Sequence, residues 1–425
     1  MRDKKRGRTC VTWAVPSLRV VSPLDSIPAG VCVARYNGCM NSIYLDYNAT
    51  TPLDPAVVEA MLPYLNEHYG NPSSVHSLGK TAHEAVERAR QQAAALMGAQ
   101  ADEIVFTGGG TEASNYALKG SVFIKLRGLF GRWARGAHLI ISAVEHPATV
   151  QPCEFLKRLG CRVTVVPVDG QGLVDPDAVG RAMQRGTTLV SIMHSNNEVG
   201  TLQPIKEIAA LTRRHGVLLH TDAAQSLGKV AVDVNDLGVD LLTLAGHKLY
   251  APKGVGILFI SRGVKLEPLL HGAGHESGRR AGTENVPYLV ALGAACELAR
   301  RGLPEATNKL RALRDRLWQR LQAGLGEYVV LNGHPEKRLP NTLNANFIGH
   351  MGSELLEKVP EIAASTGSAC HEGKISQSPV LCAMGVPPKI GQGALRLTVG
   401  RFTTEEQVDR AADILIRAAQ GEPNA

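Results

Sequence analysis

The stretch IKEIAALTRRHGVLLHTDAAQS, residues 205–226, decides how this chain folds. Its first twelve residues read as a helix, and VLLHTD (217–222) then reads as a short buried strand that ends on an acid. Working outward, the same change of period recurs. EIVFT (103–107), HLIIS (138–142), RVTVVPV (162–168), TLVSIM (188–193) and LLTLAG (241–246) are apolar runs of strand length, and TAHEAVERARQQAAALM (81–97) is helical in pattern. Such alternation predicts an α/β fold: a mainly parallel sheet, buried on both faces by helices. After about Gly302 the texture changes. A charged helical stretch, NKLRALRDRLWQRLQAGL (308–325), leads to short strands and a closing helix from Thr404, which predicts a smaller α+β domain.

Composition narrows the class. The 425 residues are 44% hydrophobic and 20% charged, ordinary values for a globular protein, and the length suggests two or three domains. No run of about 18 apolar residues occurs, so no membrane-spanning helix is expected. The net charge of +7 suggests nucleic acid only until it is located. Residues 1–40 hold seven Lys/Arg and two Asp, leaving 39 basic and 37 acidic residues, a net of +2, for the remainder. No direct nucleic-acid contact is expected from that balance. Eight cysteines, at 10, 32, 39, 153, 161, 296, 370 and 382, include no C-x-x-C pair, so free thiols in a reducing compartment, and no metal site, are expected.

Residues 1–40 are basic, and Pro16 and Arg19 interrupt any apolar core a secretory signal would need. They read as a disordered extension or an upstream start, with Met40 as the natural first residue and a cytoplasmic location. Organellar targeting is the competing reading.

In open α/β sheets ligands gather at the carboxyl ends of strands. EIVFTGGGTEASN (103–115) places three glycines and Thr111 between a strand and a helix, a phosphate cradle or simply a capped turn. Asp222 follows its strand directly, as a paired buried carboxylate or a helix cap. LLTLAGHKLYAPKG (241–254) sets His247 and Lys248 at a strand tip. There Lys248 is either a desolvated nucleophilic amine or a lysine reaching back to water. VSIMHSNNEVGTLQP (190–204) and IISAVEHPAT (140–149) add Asn196, Asn197 and His146, each with a plain structural reading as well. Together, a lysine for a Schiff base, an aspartate for a pyridinium nitrogen and a glycine-threonine phosphate site are what pyridoxal 5'-phosphate requires. Far downstream, STGSACHEGKISQSP (365–379) isolates Cys370 among small residues, a thiol with no apolar packing partners and no second cysteine nearby.

These stretches, with YLDYNATTPLDP (44–55), GNPSSVH (70–76), RRAGTENV (279–286), TGSAC (366–370) and LRLTVGR (395–401), resemble the successive signatures of the cysteine desulfurases. That family lies within the class V aminotransferase superfamily, of pyridoxal-phosphate fold type I, and the selenocysteine lyases are its near relatives. The similarity runs from about Ser42 to the C-terminus. It implies a large cofactor-binding domain over 57–303, a small domain from 41–56 and 304–425 carrying the Cys370 loop, and a homodimer.

The resemblance also assigns roles. Lys248 matches the lysine that binds the cofactor covalently, and Asp222 the partner of its ring nitrogen. Gln225 and Asn197 match side chains near the ring and its phenolic oxygen, and His146 the imidazole stacked on the ring, an acid–base candidate. Gly110, Thr111 and His247 match the phosphate site, and Thr283 a contact from the second subunit. Arg396, with Asn48 and Asn341, matches the receptors of the substrate carboxylate, and Cys370 the nucleophile. The implied reaction removes sulfur from L-cysteine, leaving L-alanine and a persulfide on Cys370. An acceptor protein such as an iron–sulfur scaffold then takes that sulfur. Either His371 or His146 is expected to help ionise the thiol, and small residues around Cys370 predict a mobile loop. One position departs from the pattern: Ala245 stands where many relatives carry a phosphate-binding serine. The competing readings are a selenocysteine lyase acting on L-selenocysteine, an aminotransferase or other lyase on the same fold, and a silent partner in a sulfur-transfer assembly.

Overall fold

Fifteen short strands organise the part of the chain that the computed structural model describes, residues 42–126, 136–366 and 377–421 with the backbone of 369–371 and 374–376. The extension at 1–40 lies outside the described residues, as do the side chains of Cys370 and His371. Strand β1 (Ile43–Tyr44) opens the described chain. A seven-stranded sheet follows: β2 (Ile104–Thr107), β3 (His138–Ser142), β4 (Arg162–Val166), β5 (Thr187–Ser191), β6 (Leu218–Asp222), β7 (Leu241–Ala245) and β8 (Gly256–Ile260). Its spatial order is β2-β8-β7-β6-β5-β3-β4. β3 through β7 are mutually parallel, and β8 runs antiparallel between β2 and β7.

The opening stretch folds as its pattern requires. Ile205–His215 is a helix whose buried face carries Ile205, Ile208, Ala209 and Thr212. Gly216 ends it with φ +62, a left-handed cap that costs glycine no Cβ strain. The chain then enters β6. Period-two alternation divides the sheet between two cores. Ile140, Val190, Leu242, Ile257 and Phe259 face one core with Ala82, Ala89 and Leu292, while Leu139, Ile141, Leu189, Leu241 and Leu258 face another with Tyr116 and Leu156. Helices therefore cover both faces. RVTVVPV departs from the buried-strand expectation: β4 is an edge strand with Val165 49% exposed, because it pairs only with β3.

The C-terminal part builds a second, four-stranded sheet from β9 (Val329–Leu331), β10 (Thr342–Phe347), β12 (Ser365–Thr366) and β15 (Ala394–Thr398), in the order β12-β15-β10-β9. β11 (Ile362–Ala363) pairs in parallel with β1, which brings Ile43 and Leu45 into a core with Leu317, Leu321, Leu343, Leu395 and Leu415. The helices Leu303–Leu325 and Glu405–Gln420 cover this sheet. The latter opens on a capping box of Thr404 and Gln407, where the sequence placed its start. Cys370 lies on β13 (Ala369–His371), paired antiparallel with β14 (Lys374–Ser376), so the segment expected as a loop contains a short hairpin.

Candidate active site

At the carboxyl ends of β3, β5, β6 and β7 the chain leaves the sheet toward one cavity of about 520 Å³. Gly108, Gly109, Gly110, Thr111, His146, Asn197, Asp222, Gln225, Ala245, His247 and Lys248 line it, together with Ala49, Thr50 and Lys253. Eight of the residues assigned to the cofactor, scattered from 110 to 248, are thus brought together. Thr283 is exposed and outside this lining. Arg396, Asn48 and Asn341 lie behind it, in contacts described below.

The glycine turn has the shape of an anion cradle. Gly110 and Thr111 begin the helix Gly110–Leu126, so their amides have no intrahelical acceptor. Gly109 has φ +142, a conformation closed to most side chains. Gly256 on β8 permits the turn to lie against the sheet, since a Cβ there would come within 2.6 Å of Gly109 backbone. Glu112 accepts from the Gly108 amide at 2.7 Å and pairs with Arg280 at 3.0 Å, which holds this acid away from the free amides of the first turn.

Lys248 sits in a 3-10 turn, Gly246–Lys248, directly after β7. Its Nζ donates to the carbonyl of Asn48 at 3.0 Å. Burial pushes its pKa down to about 8, with Asp222 pulling up and Arg396 down, so a usable fraction is free amine near neutrality. The turn is clamped by the NATTP segment: the His247 carbonyl accepts from Thr51 N at 3.0 Å and Thr51 Oγ1 at 2.9 Å, and His247 Nδ1 meets Thr50 Oγ1 at 3.2 Å. Tyr250, two residues on, holds a left-handed φ of 66, and Thr51 Oγ1 accepts its amide at 3.0 Å. Strain of that kind persists only where surrounding contacts enforce it.

Asp222 ends β6 and is 8% exposed; one oxygen accepts the amide of Ala224 at 2.9 Å, closing a turn where a helix cap was the plain expectation, and the residue lines the cavity. His146 caps the helix Pro147–Arg158, its Nδ1 accepting from Ala148 N at 3.1 Å. Burial lowers its pKa, opposed by Asp222 and reinforced by Lys248. With Nδ1 accepting, the neutral ring carries its proton on Nε2. Burial also pushes His247 down to about 4. Both imidazoles are therefore neutral at physiological pH.

Arg396, on β15, donates to Asp46 at 2.8 Å, to Ser365 at 3.1 Å and to the carbonyl of Asn197 at 3.3 Å, while its Nε has no partner. Asn48 and Asn341 are each 1% exposed and bonded to one another, Asn341 Nδ2 to Asn48 Oδ1 at 3.0 Å. Asn48 also donates to Thr342 Oγ1 at 2.9 Å and to the Asn197 carbonyl at 3.2 Å. Sequence reasoning did not find this polar hub, nor Lys229 within it. The one available signal was a lysine four residues after Gln225 in an otherwise apolar stretch, SLGKVAV.

Ser378 anchors the chain that follows the Cys370 segment. Its hydroxyl donates to Glu198 and accepts from Val380 N at 3.0 Å, and Val380, Leu381 and Met384 then pack on Val144, Met193 and Val199. Among the described residues no group of three or more His, Cys, Asp or Glu is placed to hold a metal, and no helix is long and apolar enough to cross a membrane.

This combination of fold and site agrees with the comparisons with known proteins. The aminotransferase class-V family matches residues 43–411. A cysteine desulfurase IscS of Dictyoglomus turgidum is 43% identical over 88% of this chain and 94% of its own length. One from Methanosarcina thermophila is 46% identical over 89% and 92%. Among solved structures, a NifS-like protein superposes with a TM-score of 0.82 at 36% identity, covering 89% of this chain and all of that one. SspA in complex with cysteine gives 0.74 at 34% identity, covering 85% and 100%. Within the class-V aminotransferases, the chain belongs to the cysteine desulfurases.

Proposed function

We propose that this chain takes sulfur from L-cysteine, releasing L-alanine and holding the sulfur as a persulfide on Cys370 for delivery to an acceptor protein. One observation carries the reading: eight of the nine residues assigned to the cofactor converge on a single cavity. The similarity to SspA, solved with cysteine, supports the substrate.

The residues fit pyridoxal phosphate. The free amides at Gly110 and Thr111, with the Thr111 hydroxyl and His247, would hold its phosphate, and Thr283 would reach that site from a second subunit of a homodimer. Asp222 would pair with the ring nitrogen and keep it protonated. Gln225 and Asn197 would address the phenolic oxygen, His146 the ring face and Lys248 the aldehyde carbon. When bound, the cofactor supplies an electron sink that labilises bonds at the substrate's α- and β-carbons.

The chain's own groups do the rest. Arg396 would receive the substrate carboxylate, its unpartnered Nε marking unused donor capacity, with Asn48 and Asn341 bracing it from the hub. Lys248, as free amine, would take the α-proton. The Cys370 thiolate would form an S–S bond as the substrate's C–S bond breaks, and proton return to the freed carbon would complete alanine. His146, neutral and able to exchange a proton at Nε2, would make that return.

The test is stoichiometry. The reconstituted protein with L-cysteine and a thiol reductant should form alanine and sulfide one to one, and turn over L-cysteine in preference to L-selenocysteine under equal conditions. A strong preference for L-selenocysteine would move the assignment to a selenocysteine lyase, and transfer of the amino group to an added 2-oxo acid without sulfide release would move it to an aminotransferase.

Ala245 adds a quantitative expectation. It is 4% exposed, and its Cβ lies 3.0 Å from where a Cβ on Gly110 would sit, so a hydroxyl here would face the start of the cradle helix. One hydrogen bond contributes about 1 kcal/mol, so Ala245→Ser should tighten pyridoxal phosphate roughly fivefold in a fluorescence titration. Equal affinities would remove the argument.

A further inference from the structure

Lys229 is 6% exposed and lies just behind the cavity wall, four residues beyond Gln225 in a run of turns. Its Nζ donates to Gln225 Oε1 at 2.8 Å and to Asn48 Oδ1 at 3.1 Å. Both partners are amide oxygens, and no carboxylate bonds to it among the described residues. A buried lysine bonded only to amides is expensive to keep unless those bonds serve something.

What they serve follows from donor and acceptor arithmetic. Gln225 is 3% exposed, and its Nε2 donates to the backbone carbonyl of Asn48 at 2.9 Å. If its amide flipped, the NH2 group would face the lysine and the carbonyl would face another carbonyl, two repulsive contacts replacing two bonds. Asn48 is locked in the same way. Its Oδ1 also accepts from Asn341 Nδ2 at 3.0 Å, and its backbone carbonyl also accepts from Lys248 Nζ at 3.0 Å. One N–H of Gln225 is spent on Asn48, and the other remains for the cavity that Gln225 lines.

We propose that Lys229 is a positioning residue that fixes the Gln225 amide with its NH2 group toward the cavity, so that the site presents a donor to the electron-rich oxygen of its ligand. This rests on the reading that pyridoxal phosphate binds here with its phenolic oxygen near Gln225. Burial lowers the lysine's own pKa well below its ordinary value, with Lys248 and Arg396 adding to the effect.

The experiment is a double-mutant cycle read on cofactor binding and absorbance. Lys229→Met keeps chain length and removes the donor. It should weaken pyridoxal phosphate roughly tenfold and shift the absorbance maximum of the lysine-bound cofactor. In a Gln225→Ala background the same substitution should do neither, because its target is gone. Gln225→Glu, which leaves Lys229 intact but has no N–H to offer, should reproduce the shift and keeps the proposal testable if Lys229→Met does not fold. Three results would overturn it: a Lys229→Met protein with wild-type affinity and absorbance, equal effects of Lys229→Met with and without Gln225, or a wild-type absorbance maximum in Gln225→Glu. Failure of the functional reading is separate, since wild type would then show no lysine-bound cofactor at all.

Discussion

Lys248→Ala abolishes covalent capture of pyridoxal phosphate and lowers alanine formation from cysteine on the order of 10⁴-fold. The expectation rests on where the amine sits. Burial depresses the pKa of two lysines here, Lys248 to about 8 and Lys229 well below its ordinary value, and of these two Lys248 is the one that lines the cavity. Lys253 lines it too, three residues beyond the strained Tyr250. Borohydride reduction followed by peptide mapping discriminates among them: the adduct should map to Lys248 in wild type and vanish in the variant. An adduct on Lys229 or Lys253 would sink the assignment. A second readout needs no cofactor. The folded pKa of about 8 lies below the unfolded lysine's value near 10.4, so the unfolded chain binds more protons between them. Lys248 therefore makes stability rise as pH goes from about 8 to about 10.5, and that part of the slope should be missing from urea midpoints of cofactor-free Lys248→Ala.

Lys248, Asp222 and the glycine turn were legible because a parallel sheet puts its chemistry at strand ends. There an apolar run followed at once by a polar residue can be read locally. His146 and Asn197 were visible in the same way, although each alone had a plain structural reading, and His146 does cap its helix. β8 was missed as a strand and with it the antiparallel step in the sheet, since nothing in GILFI (256–260) states its direction. The Asn48 hub was not legible either. Its members, Asn48, Lys229, Asn341 and Thr342, come from three distant segments that meet because β1 joins β11 and β15 lies beside β10. No local pattern encodes such a meeting. Arg396 was placed by resemblance, and its pairing with Asp46 depends on the same tertiary joint.

Cys370→Ala should keep the lysine-bound cofactor absorbance yet lose sulfide release from cysteine by at least ~10²-fold, separating sulfur transfer from cofactor chemistry. The other cysteines make poor substitutes. Cys153, Cys161 and Cys296 are buried, and burial raises each thiol's pKa, to about 12 for Cys153, so the thiolate needed for attack is scarce. Cys382 is exposed, but it lies on the helix Pro379–Ala383, anchored through Ser378 to Glu198 and packed through Val380 and Leu381. A residue fixed that way is a weak candidate for carrying sulfur between a cavity and an acceptor. Cys10, Cys32 and Cys39 fall in the extension, and a protein beginning at Met40 tests them together. Cys382→Ser and the shortened protein should both retain turnover. After a single addition of cysteine to wild type, mass mapping should find one extra sulfur on the peptide carrying Cys370. Persulfide on Cys382, or full turnover by Cys370→Ala, would transfer the nucleophile's role elsewhere. That outcome would leave the cavity's chemistry intact, because the cradle, Asp222 and Lys248 are held by Glu112, the Ala224 amide and the Asn48 carbonyl.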